Sequence, residues 1–492
     1  MRNAFSKTFL SGVMLLLCLI GDAQNETDVT RFITTDFGGT ARFNAMGGAM
    51  GALGGDPSTL FTNPAGMGVY RSGEFSISPT FVPMRSDALM YGRLSNQNEF
   101  NFNLNNLAYI NVYPFENKGR WKMGQLGFSY AQIKNLNGDY VVSGEHSDGS
   151  LSHEIAQDAF GMLPADFEFD EPFYVSPAYQ TFLINPDTTT SELDYISAIP
   201  DGTRIDQLSV LSRRGRVGET TVGGSLNYDD KLYLGMGIGF TRIVYDEYLD
   251  YQEVILDTAL TDLNAFSMIQ DVEMRGTGLN FRFGAIYRPV DKIRIAGSYT
   301  TPTWTSMTTA WTTSISTFFD DGERYTWNAD ANGYNEFNMT SPSRLMGAIG
   351  LVLSKSVLLN AEYEYVDYAG AKLRSSNQTP IDFGASNSAL QSELISVGNL
   401  RAGVEYRYGT LSLRGGYAFF PSPYQEGRVI NNNDRTVLSG GLGYRKDKTS
   451  VDLAYRRTSF GTDFYAYAPE SLQVAQIDEV QNSIILSLGF RF

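Results

Sequence analysis

An all-β, 14-stranded antiparallel transmembrane barrel, closed by an N-terminal hatch, is the fold this chain predicts. Three observations predict it. The final residues, LSLGFRF, alternate with period 2: Leu486, Leu488, Phe490 and Phe492 fall on one side, Ser487, Gly489 and Arg491 on the other. The 492 residues include 29 Tyr, 31 Phe and 49 Gly, a composition suited to aromatic girdles and glycine-rich wall strands. Short and long connections alternate along the chain, as they must when one barrel end carries turns and the other carries loops.

Residues 1–23 read as a secretory signal peptide. Arg2 and Lys7 precede a short apolar run, Val13–Ile20, and Gly21-Asp22-Ala23 is a small-x-small cleavage site. The run is far shorter than the ~20 residues a spanning helix needs. Cys18, the only cysteine, lies within it. The mature chain then holds no thiol for a disulfide or a thiolate metal site.

Residues 24–68 form the hatch. They are rich in Gly and small residues, GGTARFNAMGGAMGALGGDPSTLFTNPAGMG. Asp56-Pro57 is a helix start, an N-cap followed by a preset φ. Asn63-Pro64 and Gly66 stop it. A segment this apolar is accommodated inside the barrel as a plug.

Residues 69–492 form the wall. In 232–241 the residues Leu232, Leu234, Met236, Ile238 and Phe240 oppose Tyr233, Gly235, Gly237, Gly239 and Thr241. In 279–288 the apolar set opposes Asn280, Arg282 and Arg288. Charges on one face only indicate apolar to lipid and polar to lumen. Short turns are expected at 229–230, 289–291, 354–355, 408–410 and 445–448. Long connections are expected at about 84–106, 134–218, 251–265, 319–332, 374–392, 425–434 and 467–478. The large loop is acidic: between Glu145 and Asp206 stand 13 Asp and Glu and one basic residue, Arg204.

The block GTARFNAMGGAMGALGGDPSTLFTNPAGMG resembles the N-terminal hatch of the long-chain fatty-acid transporter (FadL) family of outer-membrane proteins. The likeness rests on Gly47-Gly48, Asp56-Pro57 and Asn63-Pro64-Ala65-Gly66. Gly284–Trp304, Thr340–Tyr368 and Leu411–Tyr424 resemble later hairpins of the family, and the aromatic C-terminus resembles the insertion signal of bacterial outer-membrane barrels. The resemblance implies passive uptake of hydrophobic compounds, fatty-acid-like or neutral, with a lateral exit at a strand kink. It also admits a non-transport reading, a binding or scaffold barrel such as a protein-secretion subunit. Gly127 and Gly138 flank the third strand, but the sequence does not place a kink.

Candidate ligand-binding residues in the hatch are Phe32, Phe37, Phe43, Met46, Met50, Leu60 and Phe61. Methionine adapts to varied apolar shapes, while the plainer role of all seven is packing against the wall. Leu151, Ile155, Phe160 and Leu163 mark an amphipathic helix of the acidic loop, read either as one lip of an outer groove or as the loop's own core. Arg282, Arg294, Glu362, Glu364, Arg401, Glu405, Arg407, Arg414, Asp452 and Arg456 face the lumen, where mixed charges make a network. His146 and His153, the only histidines, have poor spacing for zinc. No catalytic residue, metal ligand or cofactor motif stands out. The expected partners are a hydrophobic small molecule or lipid and the outer-membrane lipids. A protein could dock on the acidic loop, the net charge of −16 disfavours nucleic acid, and the chain is expected to act as a monomer.

Overall fold

The computed structural model describes residues 26–492 except 117–118, 188, 190–192, 330–332, 377–379, 428–433, 466 and 468–473. The expected signal peptide lies outside the described residues.

Fourteen antiparallel strands close a barrel. They are β1 (Glu74–Met90), β2 (Arg93–Pro114), β3 (Trp121–Asn135, resumed as Gly138–His146), β4 (Ile205–Tyr228), β5 (Leu232–Ile255), β6 (Leu263–Val290) and β7 (Ile293–Thr300, resumed as Trp304–Phe319). There follow β8 (Gly333–Thr340, resumed as Arg344–Val352), β9 (Val357–Asp367), β10 (Ser396–Tyr408), β11 (Leu411–Phe420), β12 (Arg435–Lys446), β13 (Thr449–Phe464) and β14 (Ala475–Arg491). Closure is made by β1 and β14, in register from Glu74↔Arg491 to Leu89↔Gln476. The terminal Phe492 completes the seam. Its N–H donates to Gly73 O at 3.1 Å, and its ring stacks on Tyr109 at 5.5 Å.

The alternation sorts the faces as expected. Met236, Phe240, Phe283 and Tyr287 are exposed on the outside, whereas Tyr233, Asn280, Arg282 and Ile286 are buried inside. No helix of the described residues is long and apolar enough to cross a membrane, so crossing falls to the strands. A tilted strand needs about 9–11 residues to span. The 24, 24 and 28 residues of β4, β5 and β6 therefore extend well beyond the hydrocarbon.

That extension corrects the reading of the first outer connection. Residues 84–106 are not a loop. β1 and β2 continue to a two-residue turn at Tyr91 and Gly92, both at positive φ (+46° and +77°), the geometry that matches the twist of a hairpin. Beyond the membrane both faces of such a strand are polar, so the apolar half of the alternation disappears from the sequence. For the same reason the connection between β3 and β4 spans 147–204, narrower than 134–218.

The plug precedes β1. It comprises α1 (Glu26–Ile33), α2 (Ala41–Ala45) and two 3-10 turns, Pro57–Phe61 and Pro64–Val69. Helix α2 packs on β11–β14, and the second 3-10 turn on β4–β6. At the opposite end, the described residues of 147–204 fold into a cap on the outer extensions of β4–β6. Its helix α3 (Leu151–Asp158) has Ser150 as N-cap, with His153 completing the capping box. The buried Glu253 of β5 accepts from Leu151 N at 2.9 Å and from the Ser150 hydroxyl at 2.5 Å, tying the helix to the wall.

In the cap, Glu171 is half-buried next to Asp158 and Asp170. Burial first, then those two carboxylates, push its carboxyl up to about 7. A carboxyl raised in the folded state contributes stability at acid pH and loses it as pH rises through about 7. Limited proteolysis should therefore cut the cap slowly at pH 6 and faster at pH 8, and Glu171→Gln should flatten the difference. Equal rates for the unmodified protein at both pH values would remove Glu171 as the cause.

Candidate functional site

The hatch signature is a set of turn-forming residues seated on wall glycines. Gly47 and Gly48 have φ of +65° and +74°, a conformation few side chains adopt. Their loop lies so close to the wall that a Cβ on Gly416 of β11 would sit 2.0 Å from Gly47 N, and one on Gly403 of β10 would sit 2.4 Å from Met46 O. Asp56 caps the first 3-10 turn, accepting from Ser58 N at 3.0 Å and from the Thr40 hydroxyl at 2.9 Å. Asn63-Pro64 stops that turn, as expected, but also starts the next: Asn63 Oδ1 accepts from Ala65 N, and Nδ2 donates to Gly51 O at 2.8 Å. Asn63, Pro64 and Ala65 lie against Gly284 and Gly235, which pair across β5 and β6. Gly66 packs on Thr59, where a side chain would collide.

Charged wall residues hold the plug. Glu405 of β10 accepts from Arg42 of the plug at 2.8 Å and from Arg414 at 2.7 Å, and it also pairs with Arg407 at 2.5 Å. Arg414 continues to Asp452 at 2.6 Å. Arg456 donates to Phe37 O at 2.6 Å and lies over the Phe37 ring. Arg294 donates to Leu53 O, and Glu362 accepts from Gly51 N. Arg282 pairs with Glu219 away from the plug. The ten lumen-facing residues picked from alternation are thus joined by ion pairs or bound to plug backbone. Arg42 was not among them, because it lies in a segment without periodicity.

Two cavities lie on the outer side of the plug. The inner one, about 80 Å³, is lined by Phe32, Phe37 and Phe61 of the plug and by a strip of hydroxyls on β7, Ser298 to Thr305. Lys134, Glu219, Arg282, Arg344, Glu364 and Arg401 also line it, so most of its lining is hydroxyl-bearing or charged. The outer cavity, about 220 Å³, lies between α1, the broken part of β3 and the segment Phe420–Tyr424. Thr34, Thr35, Asp36 and Lys134 line both, which makes them the partition. Of the seven hatch candidates, Phe43, Met46 and Met50 pack on wall residues such as Leu358, Ala418 and Val437, and Leu60 packs against Met67, Tyr70 and Ile110. Only Phe32, Phe37 and Phe61 reach a cavity.

Beside the inner cavity the wall loses its ladder. β2 and β3 pair from Pro114↔Met123 to Asn106↔Ala131 and no further outward. Beyond that point β2 pairs only with β1. β3 shifts register between Gln132 and Lys134, breaks at Leu136-Asn137, and resumes paired only with β4. Side chains reach the resumed part of β3: Ser95 Oγ of β2 stands 3.4 Å from Ser143 Oγ across the seam, and Ser86 Oγ of β1 donates to Asp139 O at 2.6 Å. Asn103, Asn105, Gln132 and Asn135 line its plug-side face together with Phe37. Asn105 Nδ2 donates to Gly39 O at 2.6 Å. Phe100, Phe102 and Leu104 are exposed on the opposite face, so the seam begins at a height where the wall is still greasy. The sequence signal was Asn137-Gly138, a turn pair inside a strand.

In the cap, Leu151 and Ile155 belong to a core with Phe167, Val175 and Leu183, while Phe160 and Leu163 are 65% and 55% exposed. His146 stacks on Tyr91 and His153 pairs with Asp201. Among the described residues no group of His, Cys, Asp and Glu could hold a metal ion.

Seating the plug on glycine gives a sharp test. Gly416→Val should push a side chain into Gly47, at an overpacking cost of ~1–3 kcal/mol, and raise single-channel conductance in planar bilayers while the barrel still shows heat-modifiable migration. Gly415→Val, whose Cβ meets only Val404 at 3.6 Å, should leave conductance unchanged. Equal conductance for both variants would mean that the contact does not hold the plug.

Solved structures share the architecture. A FadL homologue from Pseudomonas aeruginosa aligns with a TM-score of 0.55 at 13% identity, covering 93% of this chain and 100% of that one. The toluene transporter TodX of Pseudomonas putida aligns at 0.54 and 13%, covering 94% and 100%. The toluene transporter TbuX of Ralstonia pickettii aligns at 0.50 and 15%, covering 92% and 98%. At these identities the likeness is one of fold. No curated protein matches in sequence. Residues 209–463, more than half of the chain, match the family described as outer membrane protein transport protein (OMPP1/FadL/TodX), and the chain accordingly belongs to that family and to the outer membrane.

Proposed function

We propose that this barrel passes hydrophobic compounds bearing a polar group passively across the outer membrane, with lateral release between β2 and β3. The observation that carries the reading is the lost ladder beyond Asn106↔Ala131, beside both cavities and facing lipid. A compound would enter the outer cavity, cross the partition at Thr34–Asp36 and rest against Phe32, Phe37 and Phe61. The hydroxyl and charged lining disfavours a pure hydrocarbon, which would strip those groups of water without replacing their hydrogen bonds. An apolar tail leaving sideways avoids contact with water worth about 0.8 kcal/mol per CH₂. Two structural relatives are toluene transporters; toluene is a pure hydrocarbon, so this lining sets the proposed cargo apart as more polar than theirs. No catalytic constellation is needed.

The seam can be stapled. Cys18 lies in the expected signal peptide, so Ser95→Cys with Ser143→Cys introduces the only thiol pair of the mature chain. Oxidation should lower uptake of a fluorescent hydrophobic probe roughly tenfold, equivalent to ~1.4 kcal/mol, and reduction should restore it. Undiminished uptake with the disulfide formed would exclude lateral release here.

A docking barrel is the second reading, and one observation favours it. Phe160, Leu163 and Phe169 stand exposed among Asp158, Asp166, Glu168 and Asp170, a surface fit for a basic protein face. Changing the three apolar residues to Ser should leave probe uptake intact if transport is the role. Loss of a secretion phenotype with uptake absent throughout would favour docking.

A further inference from the structure

Charge is distributed along the barrel axis with opposite sign at the two ends. The loop end carries the acidic cap. The turn end consists of the six connections 115–122, 229–231, 288–292, 353–356, 407–410 and 445–448, which together hold 11 Lys and Arg against 5 Asp and Glu. Short turns mark the periplasmic end of a bacterial barrel. Every one of the six holds a Lys or Arg, so cations stand at intervals around the circumference, although 229–231 also holds Asp229 and Asp230. Lys122, Lys231, Lys292, Lys355, Lys446 and Lys448 are exposed, and among the described residues none of them makes an ion pair. In the remaining turn Arg407 is paired with Glu405, so the unpaired cations stand on the other five.

The cations adjoin a belt of exposed aromatics. Trp121 precedes Lys122, Tyr287 precedes Arg288, Tyr408 follows Arg407, and Tyr444 precedes Arg445, all four rings open on the outer surface. Such a belt marks headgroup depth. The charges stand just to its periplasmic side, where a lysine can extend its ammonium into the phosphate layer.

We propose that this ring binds the headgroups of anionic phospholipids in the inner leaflet of the outer membrane. The shape of the surface selects lipid. A protein partner would need a patch or concavity on one side, whereas the cations are spread around the rim on turns of a few residues that form no concavity. An annulus of lipid matches cations spaced around the rim at headgroup height. Each basic residue near an anionic surface is worth about 1 kcal/mol, and several acting together bias which lipids surround the barrel. The inference is independent of what the lumen carries.

The test uses the full-length mature chain in nanodiscs of phosphatidylethanolamine alone or mixed with phosphatidylglycerol. Phosphatidylglycerol should raise the midpoint of the heat-induced mobility shift, and native mass spectrometry should retain phosphatidylglycerol adducts preferentially. In K231Q/K292Q/K355Q/K446Q/K448Q both effects should fall by more than half. In about 1 M salt, where the screening length is about 3 Å, the effect on the unmodified protein should vanish. Should the multiple variant not fold, the salt arm decides alone. An equal midpoint in both lipids, a shift that survives salt, or the same stabilisation by inorganic phosphate in phosphatidylethanolamine would overturn the proposal.

Discussion

A plug with almost no ladder of its own must find hydrogen-bond partners on the wall, and the rest of the molecule is arranged around that requirement. Buried N–H and C=O groups left unpaired cost about as much as a lost hydrogen bond each. From α1 to the start of β1 the chain has only two short helices and two 3-10 turns. The wall supplies the difference. Arg456 serves Phe37 O, Arg294 serves Leu53 O, Arg435 serves Thr35 O, Ser487 accepts from Ala41 N, and Ser298 donates to Thr62 O. Side chains can reach the plug backbone in this way only where the two backbones come close, and that is what the wall glycines at 235, 284, 403 and 416 allow. Charge and small size on the lumen face thus answer one need, and the Arg42–Glu405–Arg414–Asp452 chain fixes the plug to β10, β11 and β13 together.

The same logic explains how an interrupted wall survives at a depth where lipid begins. An open strand edge in hydrocarbon is prohibitive, and irregular backbone persists there only when buried in protein or facing a polar cavity. Beyond Ala131 the edge of β3 faces inward to the plug, and amides of Asn103, Asn105, Gln132 and Asn135 stand where a ladder would run. The register shift that skips Asn105 between Ser78 and Pro79 on β1 turns that side chain onto Gly39 O. The outward face of β2 stays apolar through Phe100 and Phe102. One strand therefore presents grease to lipid and amides to the seam, which a period of two makes possible without any change of fold.

The wall was legible in the sequence because lipid imposes one-sided alternation, and residues such as Leu234, Gly235 and Met236 carry it without help from neighbours. The first hairpin was not legible in full: between Arg85 and Glu99 both faces meet water, so nothing in the composition separates a strand from a loop. The plug's turn chemistry was half legible. Asp56-Pro57 announced its turn, whereas Asn63-Pro64 read as a stop and is also a start, because an Asn side chain can cap the turn that follows its own. Which apolar plug residues reach a cavity was not legible at all. Phe37 and Phe43 sit six positions apart with similar surroundings in sequence, and only the fold decides that one ring faces a cavity while the other packs on Phe61. The hydroxyl strip Ser298–Thr305 escaped notice because in a barrel wall Thr is an ordinary strand residue.

The energetics also separate what is fixed from what can move. The glycine-seated loops of the plug are held by backbone contact over several strands, and displacing them disturbs the Glu405 network, where stranding a buried charge costs about 3–5 kcal/mol. The partition at Thr34–Asp36 is held differently. Thr35 N and its hydroxyl meet Tyr368 Oη at 2.9 and 3.0 Å, Arg435 reaches Thr35 O, and Lys134 reaches the Thr34 hydroxyl. These are side-chain hydrogen bonds, each worth roughly 0.5–3 kcal/mol net and each replaceable by water from the cavities on either side. On the proposed route, shifting this one segment would join the 80 and 220 Å³ cavities it separates. On the proposed reading, the least costly route from the outer face to the seam therefore runs through three residues, while the remainder of the plug stays seated.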